Sequence, residues 1–375
     1  MNPARRVSAL GDLQGCWDGT NAVDVAGTGS RDFTQSVANP THRSACPDDA
    51  PPASRLGGIV APKPVGTGND ECMPGPIDDA AVSTFLTERF GEVQNFARLR
   101  FGEWSAAYAF TTSEEDLVVR LGAYREDYEK DRLASRWAGV DLPIPNVREI
   151  GEALGGFYAI STRMRGVALD DLPPADLRGA LPSLFGALGA VGRAELAGSG
   201  YGVWSAPGFG APHPTWADFL TAVPSRRDER VEGWHVGLAR ESGAARVFDR
   251  ATRAIEALAP RCGARRNLVH GDLLAGNVLV RNGAIAGVLD WGNALAGDPL
   301  YDFAWLVFWS PWHPGLDREL LVEEARRSWD DENFDARFRC YLLHVGVDGM
   351  QYDAATRRFE ELRRASDEVS ALLDA

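Results

Sequence analysis

Five polar residues crowd into one short stretch, NLVHGDLLAGNVLVRNGAIAGVLDWGNALAGDP, running from Asn267 to Pro299: His270, Asp272, Asn277, Asp290 and Asp298. Asp272 and Asn277 are separated by four residues. The apolar runs that follow read as two short strands around an Asn282-Gly283 turn, the dipeptide favoured in two-residue hairpins. Such a hairpin would return Asp290 beside Asn277. One carboxamide and one carboxylate would then converge, a hard-oxygen pair suited to Mg²⁺ held together with substrate phosphates. Asp272 is left to accept a proton from a hydroxyl. The runs H-G-D-L-L-A-G-N and D-W-G have the spacing of the catalytic and metal loops of phosphoryl-transfer enzymes. One aspartate in a loop is usually a cap or turn residue; the joint spacing carries the reading. His270 fits a supporting role, fixing the loop by a hydrogen bond. Asp298 and Asp302 read as caps or anchors of the next helix, and Asp298 could also hold the catalytic loop.

The N-terminal half must supply the nucleotide side. In RFGEWSAAYAF, Gly102 and Ser105 fall in a turn whose backbone N–H groups and hydroxyl could cover phosphates. The strand LVVRLG follows, and there protein kinases carry a phosphate-binding lysine. This chain has only Lys63 and Lys130, and the strand carries Arg120 instead. Arg120 must therefore supply the cation, with Glu129 or Asp131 on the next helix as its partner, Asp131 preferred. A half-exposed structural arginine is the competing reading. FYAIS followed by TRMRG suits a link between two lobes, with backbone near Thr162 bonding adenine and Met164 covering the ring. An ordinary strand exit fits those residues equally well.

These residues need positioning elements. Helical patterning opens at Asp78 or Asp79 and covers 77–91. Strand-like segments around turns at Gly102 and Ser113–Asp116 fill 96–122, a helix is predicted over 125–139, and two strands around a Gly-Gly turn over 142–166. From about 168 the pattern is mainly helical, at 176–196, 215–223, 243–259, 299–309, 317–329, 333–353 and 355–373. The loop 200–216 is rich in Gly, Pro and aromatics, and loops of that length often carry function. The expected fold class is therefore α+β, in two lobes: a small antiparallel-sheet N-lobe over 77–163 and a mainly helical C-lobe over 164–375. Residues 1–76, rich in Gly, Pro, Asp, Ser and Thr, lack any persistent period and are expected to form a disordered arm. The functional protein would then start near Met73.

Composition bounds the rest. With 375 residues and 45% hydrophobic content the chain can bury a sizeable core. A net charge of −14 argues against nucleic acid and anionic membrane as partners and suits a small cationic substrate. The five cysteines are scattered without metal-ligand spacing, as expected of free thiols in a reducing compartment. No run reaches the roughly 18 apolar residues of a membrane span. A cytoplasmic enzyme, monomeric, is the expectation.

His270–Asn277 and Asp290–Gly292 resemble the catalytic signature of the aminoglycoside phosphotransferase family, which has a kinase-like fold. FGEWSAAYAF, VVRLG, YEKDR, LPIP, GVALDDLP, TWADF, LVHGDLLAGNVLVRNG and DWGNALAGDPLYDFAWLVFW are similar, in the same order, to one branch of that family. The likeness spans about residues 77 to 350, and that branch also has arginine at the position of Arg120. The resemblance implies ATP-dependent transfer of a γ-phosphoryl group to a hydroxyl of an aminoglycoside-like antibiotic, and hence resistance. Asp272 would be the base and Asn277 and Asp290 would hold Mg²⁺. A cationic antibiotic needs carboxylates; Asp218, Asp298 and Asp348 are the candidates, beside the aromatic loop. An endogenous amino alcohol, sugar or nucleoside as substrate is the alternative, as is a kinase-like nucleotide-binding module without turnover.

Overall fold

The computed structural model describes residues 77–99, 105–206, 208–225, 229–263, 265–274 and 276–375. The expected arm over 1–76 and the phosphate-covering turn at Gly102 lie outside the described residues.

The N-terminal part is a five-stranded antiparallel sheet carrying two helices. Helix α1 (Asp79–Phe90) starts where Asp78 caps it, its carboxylate accepting from Ala80 N at 3.1 Å. Strands β1 (Gln94–Arg98), β2 (Ser105–Thr111) and β3 (Asp116–Gly122) follow, then helix α2 (Arg125–Ala134), β4 (Val147–Ala153) and β5 (Gly156–Thr162). The sheet order is β1-β2-β3-β5-β4. Period-two alternation divides the labour on β3. Leu117, Val119 and Leu121 join Val82 and Leu86 of α1 in the core, while Arg120 faces the other side with α2. Its cross-strand neighbours are Ala107 and Ala159, small enough to leave room for a guanidinium.

The remaining part is mainly helical. It comprises β6 (Val167–Ala168), α3 (Pro174–Arg193), β7 (Gly202–Val203), α4 (Trp216–Thr221), α5 (Trp234–Arg240), α6 (Ser242–Leu258), β8 (Asn267–Val269), β9 (Val278–Arg281), β10 (Ala284–Val288), β11 (Leu295–Gly297), α7 (Leu300–Trp309), α8 (Arg318–Trp329), α9 (Phe334–Ala355) and α10 (Phe359–Asp374). Helix α9 is buried on most faces, packed by α5, α6, α7 and α10. Two small sheets carry the polar stretch: β10-β9-β6 and β7-β11-β8. Strands of two or three residues leave too few alternations to be legible, which is why β6, β7, β8 and β11 escape a sequence reading.

The aromatic loop 200–216 differs from its expectation as a cleft lining. Trp204, Phe209 and Trp216 are buried in the helical core. Arg266 organises the loop, donating to the carbonyls of Gly200 (2.7 Å), Leu196 (2.8 Å), Ala197 (2.8 Å), Ser199 (3.2 Å) and Phe209. The fork of a guanidinium suits such a cluster of acceptors.

Candidate active site

The catalytic loop leaves β8 at His270. Two N–H groups there, His270 N and Gly271 N, donate to the two oxygens of Asp302 at 2.9 and 2.8 Å. Burial pushes the Asp302 carboxyl up to about 6, with those two donors opposing it. Farther along, Gly276 N donates to Asp170 at 3.1 Å. The loop is thus fastened near both ends by carboxylates from elsewhere in the chain. His270 is fully buried, and burial lowers its pKa to about 4, so the ring is neutral. Its Nε2 faces Leu289 O at 2.9 Å and donates, while Nδ1 accepts from Asp272 N at 3.2 Å. These partners fix the tautomer, and with it the backbone that carries Asp272.

The Asn282-Gly283 hairpin forms as the dipeptide predicts, with φ of 54° and 76°. Leu289 N donates to Asn277 O at 2.8 Å, so the returning strand delivers Asp290 next to Asn277. The Asn277 amide nitrogen donates to Asp272 O at 3.0 Å, leaving its oxygen as the acceptor end. Asp290 has φ of 59°, unusual for a residue with a Cβ. Trp291 N then donates to Asp131 Oδ1 at 2.8 Å, and the Trp291 indole packs against His270 with ring centroids 4.6 Å apart. At Gly292 a Cβ would come within 3.0 Å of the Asp127 carboxylate carbon, so α2 could not approach so closely with a side chain there.

Arg120 pairs with Asp131 at 2.5 Å and with Asp290 at 3.1 Å. Asp131 is thus the helix partner, and Glu129 pairs instead with Arg125. Burial disfavours the charged guanidinium, but Asp290 and Asp131 outweigh it and raise the pKa further. Asp290 is held below the ordinary carboxylate range; burial opposes this, and Arg120 supplies the largest favourable interaction.

Asp272 is half-buried. Its pKa is pushed up to about 7, first by burial, then by Asp290 and Asp348, against hydrogen bonds from Asn293 and Asn277. Ser105 opens β2, opposite Gly122. At the exit of β5, Thr162 Oγ accepts from Asn146 N at 2.9 Å. Met164 lies over β10, its Cβ 3.0 Å from where a Cβ on Gly287 would sit.

The acidic candidates for the substrate separate clearly. Asp348, on α9 and half-buried, is close enough to raise the Asp272 pKa. Asp218 is exposed but engaged in a capping box: its carboxylate accepts from Thr215 N at 3.0 Å and Thr215 Oγ at 2.7 Å. Asp298 is corrected. It is fully buried and accepts from Arg337 Nε (2.9 Å), Arg337 Nη2 (2.7 Å), Tyr341 Oη (2.7 Å) and Leu300 N (3.2 Å). A carboxylate so enclosed cannot face a substrate. Nor does Asp298 hold the catalytic loop; Asp302 does, four residues on. Sequence reasoning missed Asp170, Asn293 and this role of Asp302. Only their closeness to the motifs, in GVALDDLP and directly after D-W-G, was a signal.

A sheet lobe and a helical lobe, with an Asp/Asn loop and a D-W-G turn, define a kinase-like phosphotransferase fold. Residues 97–337 match the phosphotransferase enzyme family (APH), and the chain belongs to that family. Hygromycin-B 4-O-kinase of Escherichia coli is 32% identical over 296 residues, covering 78% of this chain and 84% of that relative. A thermostable mutant of aminoglycoside phosphotransferase APH(4)-Ia, in a ternary complex with AMP-PNP and hygromycin B, aligns with a TM-score of 0.69 and 32% identity over 78% of this chain and 98% of that one. A GDP complex of an aminoglycoside 2'-phosphotransferase IIIa mutant shares the fold, with 16% identity and a TM-score of 0.54 over 79% and 97%. Among the described residues, no helix is long and apolar enough to cross a membrane.

Proposed function

We propose that this chain transfers the γ-phosphoryl group of ATP to a hydroxyl of an aminoglycoside of the hygromycin B type. One observation carries the reading: a single segment, through its hairpin, brings Asp272, Asn277 and Asp290 together in a member of a phosphotransferase family whose 32%-identical relative is a hygromycin-B kinase.

Asp272 is the base. Its carboxylate accepts the hydroxyl proton while the substrate oxygen bonds the γ-phosphorus. The bond from that phosphorus to the β–γ bridging oxygen breaks, and ADP leaves with the electron pair. A pKa near neutrality suits a group that must be ionised at rest and accept a proton in the reaction. Asn277 and Asp290 offer an amide oxygen and a carboxylate, the hard-oxygen donors that Mg²⁺ takes beside substrate phosphates. The Asp290 side chain is 41% exposed, so its carboxylate is accessible to such an ion. A bound Mg²⁺ would neutralise phosphate charge, as in other phosphoryl transfers. Arg120 holds Asp290 in place and adds positive charge. Ser105 covers the phosphates, while Thr162 and Met164 frame the adenine. Asp348, near enough for its charge to raise the Asp272 pKa, and Asp218 receive ammonium groups of the substrate. Catalysis on this scheme is mainly positioning and charge stabilisation.

The test is ADP release by purified protein with Mg-ATP and a panel of aminoglycosides and small metabolites. Turnover with hygromycin B is the expected result, and the 4-hydroxyl is the first position to examine in the product by NMR. Turnover confined to an amino alcohol, sugar or nucleoside would overturn the substrate assignment. ATP binding without any turnover would overturn the activity.

A further inference from the structure

Lys130 is a buried cation beside the D-W-G turn that phosphoryl transfer, as described, leaves unused. It lies on α2 and is 2% exposed. Its ammonium donates to Gly292 O at 2.5 Å and Ala294 O at 3.4 Å, and stands 4.8 Å from the centre of the Trp204 ring. The groups around it are Asp127, Glu126, Arg230 and Asp131. Taking an ammonium out of water is costly, and an apolar side chain of equal length is often neutral or better at such a place. Filling space alone does not account for a lysine here.

The two carbonyls that it grips flank one residue, Asn293. Asn293 sits on the surface of this turn, and its side chain is close enough to the Asp272 carboxylate to favour the ionised form. One backbone hydrogen bond closes the turn between Asp290 and β11, from Ala294 N to Trp291 O at 3.0 Å. Helix α2 anchors it from outside, at Trp291 N through Asp131 and at the 292 and 294 carbonyls through Lys130.

Resting on the reading of Asp272 as the base, we infer that Lys130 is a positioning residue, which fixes the 291–294 turn so that the Asn293 carboxamide orients Asp272. Without the ammonium, two carbonyls in buried residues lose their donor. The turn then relaxes, and Asn293 no longer holds the carboxylate in line. A small misplacement of a reacting group costs about 100-fold in rate.

The experiment compares wild type, Lys130→Met, Asn293→Ala and the double variant. Wild-type turnover is measured first, so a failure of the phosphotransferase reading is seen separately. Lys130→Met is expected to lower kcat per folded molecule by about 10- to 100-fold, with KM for ATP within about threefold and a modest fall in Tm, because two buried carbonyls lose their donor. Asn293→Ala should show a comparable fall, and the double variant should be no worse than the more impaired single variant, because both break one linkage. Amide exchange of the peptide 291–295, which needs no activity, should quicken in Lys130→Met. Wild-type kcat in either single variant, losses that multiply in the double variant, or unchanged exchange at 291–295 would each overturn the inference. So would a drop in Tm with kcat per folded molecule intact.

Discussion

Two arginine–carboxylate clusters in this molecule use the same chemistry to opposite ends. Arg337 and Asp298 are almost completely buried, and Tyr341 and Leu300 N complete the carboxylate's partners. Arg120, Asp131 and Asp290 form the other cluster, where Arg120 is 20% exposed and Asp290 is 41% exposed. The first is closed around the carboxylate: all the donors to Asp298 lie in the helical core, while Arg337 also reaches Asp331 at its edge. The second joins β3, α2 and the D-W-G turn, yet leaves Asp290 open to solvent. A saturated buried pair is scaffold, and a part-exposed carboxylate such as Asp290, held on one side by Arg120 and the turn backbone, can do further work. Proximity to a motif does not tell them apart, since Asp290 and Asp298 stand in the same short segment.

The largest expected effect lies on the open side. Asp272→Asn should lower kcat by about 1000-fold while leaving the fold intact, because general-base contributions reach that size. Its stability has a definite sign. The folded carboxyl titrates near 7 against an ordinary 3.8, so the folded state binds more protons between those values. Ionisation of Asp272 therefore opposes folding increasingly as pH rises from about 4 to 7. Asp272→Asn should match or exceed wild-type stability at pH 8, and denaturant titration at pH 8 checks this. A loss of stability there would mean that Asp272 belongs with the scaffold.

The closed side should behave the other way. Arg337→Met strands Asp298 in the core and should cost about 3–5 kcal/mol by denaturant unfolding. The activity of the folded fraction should persist at low temperature. Arg120→Met should fall between the two: about a 10- to 100-fold loss of kcat/KM, since an electrostatic contact near the phosphates is removed, with a smaller loss of stability than Arg337→Met. An equal loss of stability would erase the distinction between open and closed clusters.

A pH effect comes next. On the proposed mechanism Asp272 acts ionised, and its pKa is raised, so kcat/KM should fall as pH drops through about 7. Asn293→Ala removes a hydrogen bond that stabilises the ionised form and should move that acid limb upward. The smallest effect is at Asp218. Asp218→Ala breaks the capping box of α4 and should cost about 1 kcal/mol. KM for the antibiotic should also rise beyond what that instability explains, and an unchanged KM would remove Asp218 from the substrate site.

Much of the architecture was legible because it rests on local rules. The hairpin at Asn282-Gly283 follows from a dipeptide that tolerates positive φ, and the helices α1, α3, α6 and α10 follow from apolar periodicity. The α2 partner of Arg120 was legible only as a choice between two acids on one helix. What could not be read was which carboxylate faces which element. Asp298 and Asp302 both stand near the start of α7, but Asp298 precedes the helix and Asp302 lies within it, so the non-helical backbone at Asp298 turns its carboxylate toward Arg337 on α9 while Asp302 meets the His270 and Gly271 amides.

The sequence by itself determined the class of chemistry, since the order and spacing of His270, Asp272, Asn277 and Asp290 impose a loop and a hairpin wherever they fold. Tertiary structure decided the use of each buried charge. Lys130, Asp131, Asp298 and Asp302 take their roles from partners far along the chain, in some cases more than 150 residues away. Charges taken out of water must find such partners, and only the packing of helices and sheets brings those partners within reach.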